Sequence, residues 1–304
     1  MRDPARRRVL NGLATAVLVA RFGHAEARTM LKRAIPSSGE TLPAIGLGTW
    51  QTFDVEPEPA ALAPLREIVA RYLALGGRVV DTSPMYGRAE SVLGNLLAST
   101  PQPPRPFVAT KIWTTGKEAG ERQIAESEQK IGRKPLDLVQ VHNLVDVDTH
   151  LDTLDASKAD GRVRYTGVTH YTRGAHAEVQ RVANRRKVDF IQINYSLAER
   201  EAERRLLPFA HERGVAVLIN RPFAEGALFA RVRGKSVPEW ARIELDCASW
   251  AQFFLKFIVS HPAVTAAIPA TSKLDHLLDN LGAGAGAMPD AAQREKMAGD
   301  FAAL

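Results

Sequence analysis

Hydrophobic positions recur along most of this chain in two alternating rhythms. Short apolar runs of four to six residues read as buried strands, and between them apolar residues three and four apart read as amphipathic helices. A hairpin is predicted over 29–44, turning at Pro36-Ser37-Ser38-Gly39. The strand-like runs after it are 44–47, 78–81, 107–110, 136–141, 163–168, 190–193, 215–219 and 264–268. The predicted helices are 61–75, 90–98, 117–131, 149–159, 175–183, 201–212, 248–260 and 274–281, with a tail helix over 290–301. In the first helix, Leu62, Leu65, Ile68, Val69, Tyr72 and Leu73 fall on one face. The nearly continuous apolar run 136–141 suits a strand covered on both sides.

Strands that alternate with helices pair in parallel through crossovers. Eight such units in about 250 residues have the size of a closed barrel. The predicted fold is therefore α/β, a (β/α)8 TIM barrel with an N-terminal β-hairpin and an extra C-terminal helix. An open doubly wound sheet is the rival, and it usually carries G-x-G-x-x-G after its first strand. Gly46-Leu47-Gly48-Thr49-Trp50 lacks the third glycine and has no helix directly behind it. The stretch 282–287, alternating Gly and Ala, reads as a brief flexible link before the tail helix.

Composition changes this picture little, except at the start. Of 304 residues, 45% are hydrophobic and 24% charged, ordinary for a globular chain. The formal charge is +6, and half of it comes from the first 27 residues, where Arg2, Arg6, Arg7, Arg8 and Arg21 face only Asp3 and Glu26. With no basic stripe elsewhere, nucleic acid is not an expected partner. Cys247 stands alone, which excludes an intramolecular disulfide and a Cys-rich metal cluster. No apolar run reaches the roughly 18 residues of a membrane span, so no stable membrane anchor is expected.

Residues 1–27 read as a leader: a basic start, a mildly apolar run from Val9 to Ala20, and Ala25-Glu26-Ala27 as a small-x-small cleavage site. Arg6-Arg7-Arg8-Val9-Leu10 resembles a twin-arginine export signal. The expectation is a folded protein delivered to the periplasm by the export machinery, with 28–304 as the barrel domain. If the leader is a start placed too early, the location is cytoplasmic.

In a barrel the carboxyl ends of the strands converge on one mouth. Those ends carry Gly48, Thr49, Asp81, Lys111, His142, Thr169-His170, Gln192, Asn220 and Thr271, with Tyr86 in the loop after Asp81. A tyrosine that protonates a carbonyl oxygen needs its pKa lowered from about 10, and an ammonium such as Lys111 does this. Asp81 supplies that lysine's counter-charge, and His142 can donate a hydrogen bond to the same oxygen. No nucleophile–base pair or metal site is evident, which leaves reduction, with a proton from Tyr86 and hydride from a cofactor.

The same segments resemble the aldo-keto reductase family. They are Gly46-Leu47-Gly48-Thr49-Trp50, 81–87 (Asp81 to Gly87), Thr110-Lys111, Val141-His142-Asn143, 167–171 (Gly167 to Tyr171), 192–195 (Gln192 to Tyr195) and 268–273 (Ile268 to Lys273). The resemblance implies a catalytic tetrad of Asp81, Tyr86, Lys111 and His142. It also implies NADPH, with NADH possible, lying extended across the mouth. Gln192 with Thr169-His170 would meet the carboxamide, and Thr271, Lys273, His276 and Asn280 would meet the adenosine end. Gly48, Thr49, Asp81, Asn220, Arg221 and Pro222 complete the expected cofactor set. Two matches depart from the family: Thr169-His170 stands where Ser-Asn is usual, and Asn220 where many members stack an aromatic. Trp50, Met85, Trp113, Asn143 and Phe223 are the expected pocket walls. His24, His150, His176 and His211 are read as surface residues. The implied activity is NADPH-dependent reduction of a small-molecule aldehyde or ketone by a monomer. A nucleotide-binding regulatory protein that keeps the barrel without useful turnover is the alternative.

Overall fold

In a computed structural model, the protein is described over residues 30–100 and 105–304. The leader expected over 1–27, with His24, lies outside those residues. Two short strands, β1 (Lys32–Ala34) and β2 (Thr41–Pro43), form the antiparallel hairpin, with Ala34 opposite Thr41. Eight parallel strands follow. They are β3 (Leu47–Gly48), β4 (Val79–Asp81), β5 (Phe107–Ile112), β6 (Leu136–His142), β7 (Val163–Thr169), β8 (Phe190–Asn194), β9 (Ala216–Asn220) and β10 (Ala266–Ala267). Each neighbours the next in chain order. The ring closes where Ala267 N–H donates to Ala44 O at 2.9 Å and Gly46 N–H to Ala267 O at 2.7 Å.

Local chemistry explains several element ends. The helix Lys117–Ile131 stops at Gly132, whose φ of 69° is the left-handed conformation that glycine adopts without penalty. The helix Trp250–Val259 begins where Ser249 Oγ accepts the Gln252 N–H at 3.1 Å. The tail helix Ala291–Ala302 starts with a reciprocal capping box between Asp290 and Gln293.

Two apolar layers follow from the strand period. Val79, Phe107, Ala109, Leu138, Tyr165, Phe190, Ala216, Leu218 and Ile268 fill the barrel interior, and hairpin residues Ile35 and Leu42 join them as its floor. The opposite strand faces pack with the helices, for example Val80, Val108 and Val139 with Leu65, Leu93 and Ile124.

Three local expectations change. The helix predicted over 201–212 divides into a 3-10 turn, Glu201–Arg204, and a helix, Leu206–Arg213. Pro208 has no N–H to bond Arg204 O, and its ring would crowd that carbonyl, so it is accommodated in the first turn of a new helix. The stretch 282–287 is not a free link: the fully buried Lys256 donates to Ala285 O at 2.6 Å and Ala287 O at 2.8 Å, and Leu31 N–H donates to Gly284 O. His150 and His176 are buried rather than on the surface. Their rings bond Thr114 O at 2.6 Å and Asn194 Oδ1 at 2.9 Å, which satisfies a polar atom of each inside the fold.

Candidate active site

Strands β4, β5 and β6 deliver Asp81, Lys111 and His142 to the carboxyl end of the barrel. The turn after β4 brings Tyr86 back over them. Its N–H donates to Ser83 O, and its own carbonyl accepts from Ala89 N–H at the start of the helix Ala89–Ala98. Lys111 Nζ donates to Asp81 Oδ2 at 2.8 Å and to Thr82 O at 2.8 Å, with both charged side chains almost fully buried. The ammonium stands 4.9 Å from the centre of the Tyr86 ring. The His142 ring meets Tyr86 edge-on, 6.5 Å between centroids.

These contacts set the protonation states. Burial tends to discharge Lys111, but the charges and hydrogen-bonding groups of Asp81 and Tyr86 outweigh it and hold the lysine above its ordinary range. His142 is pushed down to about 3, by burial first and then by Lys111 and His170, so it is a neutral imidazole at any physiological pH. Tyr86 departs from the sequence expectation. Lys111 does pull its pKa down, but burial is the larger influence and the net direction is upward. The phenol keeps its proton.

A cavity of about 1350 Å³ opens from this cluster. With Tyr86 and His142, its walls include Thr49, Trp50, Met85, Asn143, Thr271, His276 and Asn280. Gly48, Asp81, Thr169, Gln192, Asn220, Arg221, Pro222 and Phe223 line it as well. Four expected residues do not line it. Lys111 is buried against Asp81. His170 stacks on Tyr171 with ring centres 5.5 Å apart, and its Nδ1 accepts the Thr172 N–H. Lys273 is exposed at the start of the helix Leu274–Gly282. Trp113 is 44% exposed, 6.3 Å from the His142 ring.

Several wall residues were not anticipated. Ser249, Trp250, Asp279, Tyr171, Glu225 and Phe229 also line it. Their only sequence signal is proximity to strand ends and to the long segment after β9. Arg221 joins two of these residues, donating to Tyr171 O at 2.9 Å and pairing with Glu225 at 3.2 Å.

A nicotinamide carboxamide needs both donors and acceptors around it. Asn143 Oδ1 and Asn220 Oδ1 are buried acceptors without partners, as are the Thr49 hydroxyl and His142 Nδ1. Buried polar atoms without partners are unusual, and here they belong to residues that line one cavity. The residues present fit such a group. Gln192 accepts from Thr169 Oγ1 at 2.9 Å and donates to Asp81 Oδ1 at 2.7 Å, and its amide has a second donor and a second lone pair beyond these.

Residues 44–293 match the family model described as the aldo/keto reductase family. The chain is 26% identical over 262 residues to a protein named methylglyoxal reductase from Escherichia coli, covering 83% of this chain and 89% of that one. It is 25% identical over 246 residues to a protein from the same organism named NADH-specific methylglyoxal reductase, covering 70% and 73%. A Klebsiella pneumoniae aldo-keto reductase solved in complex with NADPH superposes with a TM-score of 0.72 at 24% identity, covering 90% of this chain and 96% of that one. The holo form of a Bacillus halodurans aldo-keto reductase gives 0.71 at 19% identity, with 90% and 96% covered.

Proposed function

The chain belongs to the aldo/keto reductase family of oxidoreductases, and from that premise we propose that it reduces an aldehyde or ketone with Tyr86 as the proton donor. The observation that carries this reading is that Asp81, Tyr86 and His142 line one cavity, with Lys111 bonded to Asp81 and 4.9 Å from the Tyr86 ring. When bound, NADPH or NADH supplies the hydride. The chain's own residues do the rest. Thr169, Gln192, Asn143 and Asn220 would hold the carboxamide, and Thr271, His276 and Asn280 the adenosine end. Neutral His142 orients the carbonyl by hydrogen bonding, and Tyr86 gives its proton to the oxygen as negative charge develops there. Lys111, fixed by Asp81, stabilises the phenolate that results.

Support for this cofactor comes from the partnerless acceptors along the cavity and from relatives described with NADPH or named for NADH. Tyr86→Phe tests the reading. It should lower turnover by about 10²–10⁴-fold while NADPH binding, followed by fluorescence, is kept. A protein that only binds nucleotide would show no turnover to lose.

We also propose that residues 1–27 direct export in the folded state, on the strength of Arg6-Arg7-Arg8 and Ala25-Glu26-Ala27. A mature protein beginning at Arg28 in the periplasmic fraction supports this. An intact Met1 in the cytoplasm removes it.

A further inference from the structure

The loops after β3 and β4 meet beside Tyr86. Asp54 lays its carboxylate against Gly87, so closely that a Cβ there would stand 2.3 Å from Asp54 Cγ, Oδ1 and Oδ2 alike. Gly87 has φ +57°, so glycine supplies both the backbone conformation and the space. Asp54 Oδ1 accepts the Arg88 N–H at 2.9 Å. The Arg88 guanidinium lies 3.7 Å from the same oxygen and 2.6 Å from Glu56 Oε1. Arg88 precedes the helix Ala89–Ala98, where an acidic group satisfies an otherwise unpaired N–H and suits the helix dipole. Behind Asp54, Phe53 is fully buried and its N–H donates to Thr49 O, so the carboxylate is held from the core.

Tyr86 immediately precedes this contact. Its own backbone bonds, to Ser83 and Ala89, lie within the turn and its helix. The Asp54 bond instead ties the turn to a different loop, the one that also carries Trp50 into the cavity.

We propose that Asp54 is a positioning residue for the proton donor: its carboxylate fixes the Gly87–Arg88 backbone and thereby where Tyr86 Oη meets the substrate oxygen. The proposal rests on the reading of Tyr86 as the acid. An acid must stand within hydrogen-bonding reach of the atom it protonates, and a misplacement of about 1 Å can cost on the order of 10²-fold in rate.

The test compares Asp54→Ala, Asp54→Asn and Tyr86→Phe in the full chain, with NADPH and benzaldehyde. Asp54→Ala should lower kcat about tenfold or more, leave the NADPH dissociation constant unchanged, and raise the solvent deuterium isotope effect on kcat. Asp54→Asn keeps the Oδ1 acceptor and should recover most of kcat. Parental kcat in Asp54→Ala, or Asp54→Asn as slow as the alanine variant, overturns the proposal. If Asp54→Ala does not fold by circular dichroism, Asp54→Glu replaces it. Its longer side chain cannot keep the carboxylate against Gly87, and parental kcat there is equally fatal. Tyr86→Phe separates the two claims. Its loss of turnover beside an unaffected Asp54→Ala removes only the positioning role, whereas full turnover in Tyr86→Phe removes the acid itself.

Discussion

Gln192 on β8 reaches across the barrel and donates its amide to Asp81 Oδ1 on β4, at 2.7 Å. With Lys111 on Oδ2, both carboxylate oxygens are bound from different strands. Asp81 thus has little freedom to swing away from the ammonium.

Lys111→Met should therefore be costly twice. It leaves Asp81 as a buried charge held by one amide, a loss of about 3–5 kcal/mol in unfolding free energy. Turnover should fall at least as far as in Tyr86→Phe. Gln192→Leu removes one hydrogen bond to the charge and should cost about 1.5–3 kcal/mol. Urea unfolding beside steady-state kinetics reads both, and a Lys111→Met protein as stable as the parent contradicts the argument.

The pH–rate profile for reduction should be flat through neutrality. On the proposal that Tyr86 is the acid, reduction requires its protonated form, and its pKa is shifted upward by burial against the pull of Lys111. His142, at about 3, adds no break between pH 5 and 8. Alcohol oxidation needs the phenolate and should climb with pH instead. An inflection in the reductive kcat near pH 6–7 would mean that a histidine controls the step.

Glu90 has a separate signature, in stability. It is buried, accepts from Thr110 Oγ1 at 2.6 Å and Ser127 Oγ at 2.8 Å, and leaves Oε2 without a partner. Burial raises its pKa. Below pH 4.5 the carboxyl is protonated folded and unfolded alike. Above it the unfolded chain releases the proton first, so this residue's contribution to stability falls as pH rises toward the folded pKa. Glu90→Gln lacks that titration, and its melting temperature should gain on the parent's as pH goes from 4 to 7. A constant difference would show that Glu90 ionises without hindrance.

Gly87→Ala should destabilise the protein by about 1–3 kcal/mol, because alanine must adopt φ +57° and displace the Asp54 carboxylate. Thermal unfolding measures the loss. Gly226→Ala is a control with a positive φ but open space, and it should cost less.

The grouping of Asp81, Lys111 and His142 was legible because a barrel turns position along a strand into position in space. Asp81 and His142 end their strands and Lys111 stands one residue before the end of its own, and no side-chain detail was needed to bring them together. Other parts of the cavity wall were not legible. Phe229, Trp250 and Asp279 reach the cavity through the segment after β9 and two later helices. That segment is held by tertiary contacts such as Trp240 Nε1 to Asp300 Oδ2 at 2.7 Å and Arg231 to Ala302 O at 3.0 Å. Hydrophobic period carries no trace of such pairings. His150 and His176 were misplaced for a related reason, since the acceptors that pay for their burial lie on other elements. The Tyr86 pKa was a question of magnitude: the sequence identifies Lys111 as a neighbour but not the depth at which both sit.

Closure of the ring has a consequence for how the protein is made. The bonds from Ala267 to Ala44 and from Gly46 to Ala267 join opposite ends of the chain. Contacts so distant in sequence pay a large loop-closure entropy and form slowly. Until 264–268 has been synthesised and docked, β3 and β9 are open edges able to pair with another chain. A nascent chain halted before Ala266 would already contain Asp81, Tyr86, Lys111 and His142, yet as an unfinished and adhesive sheet.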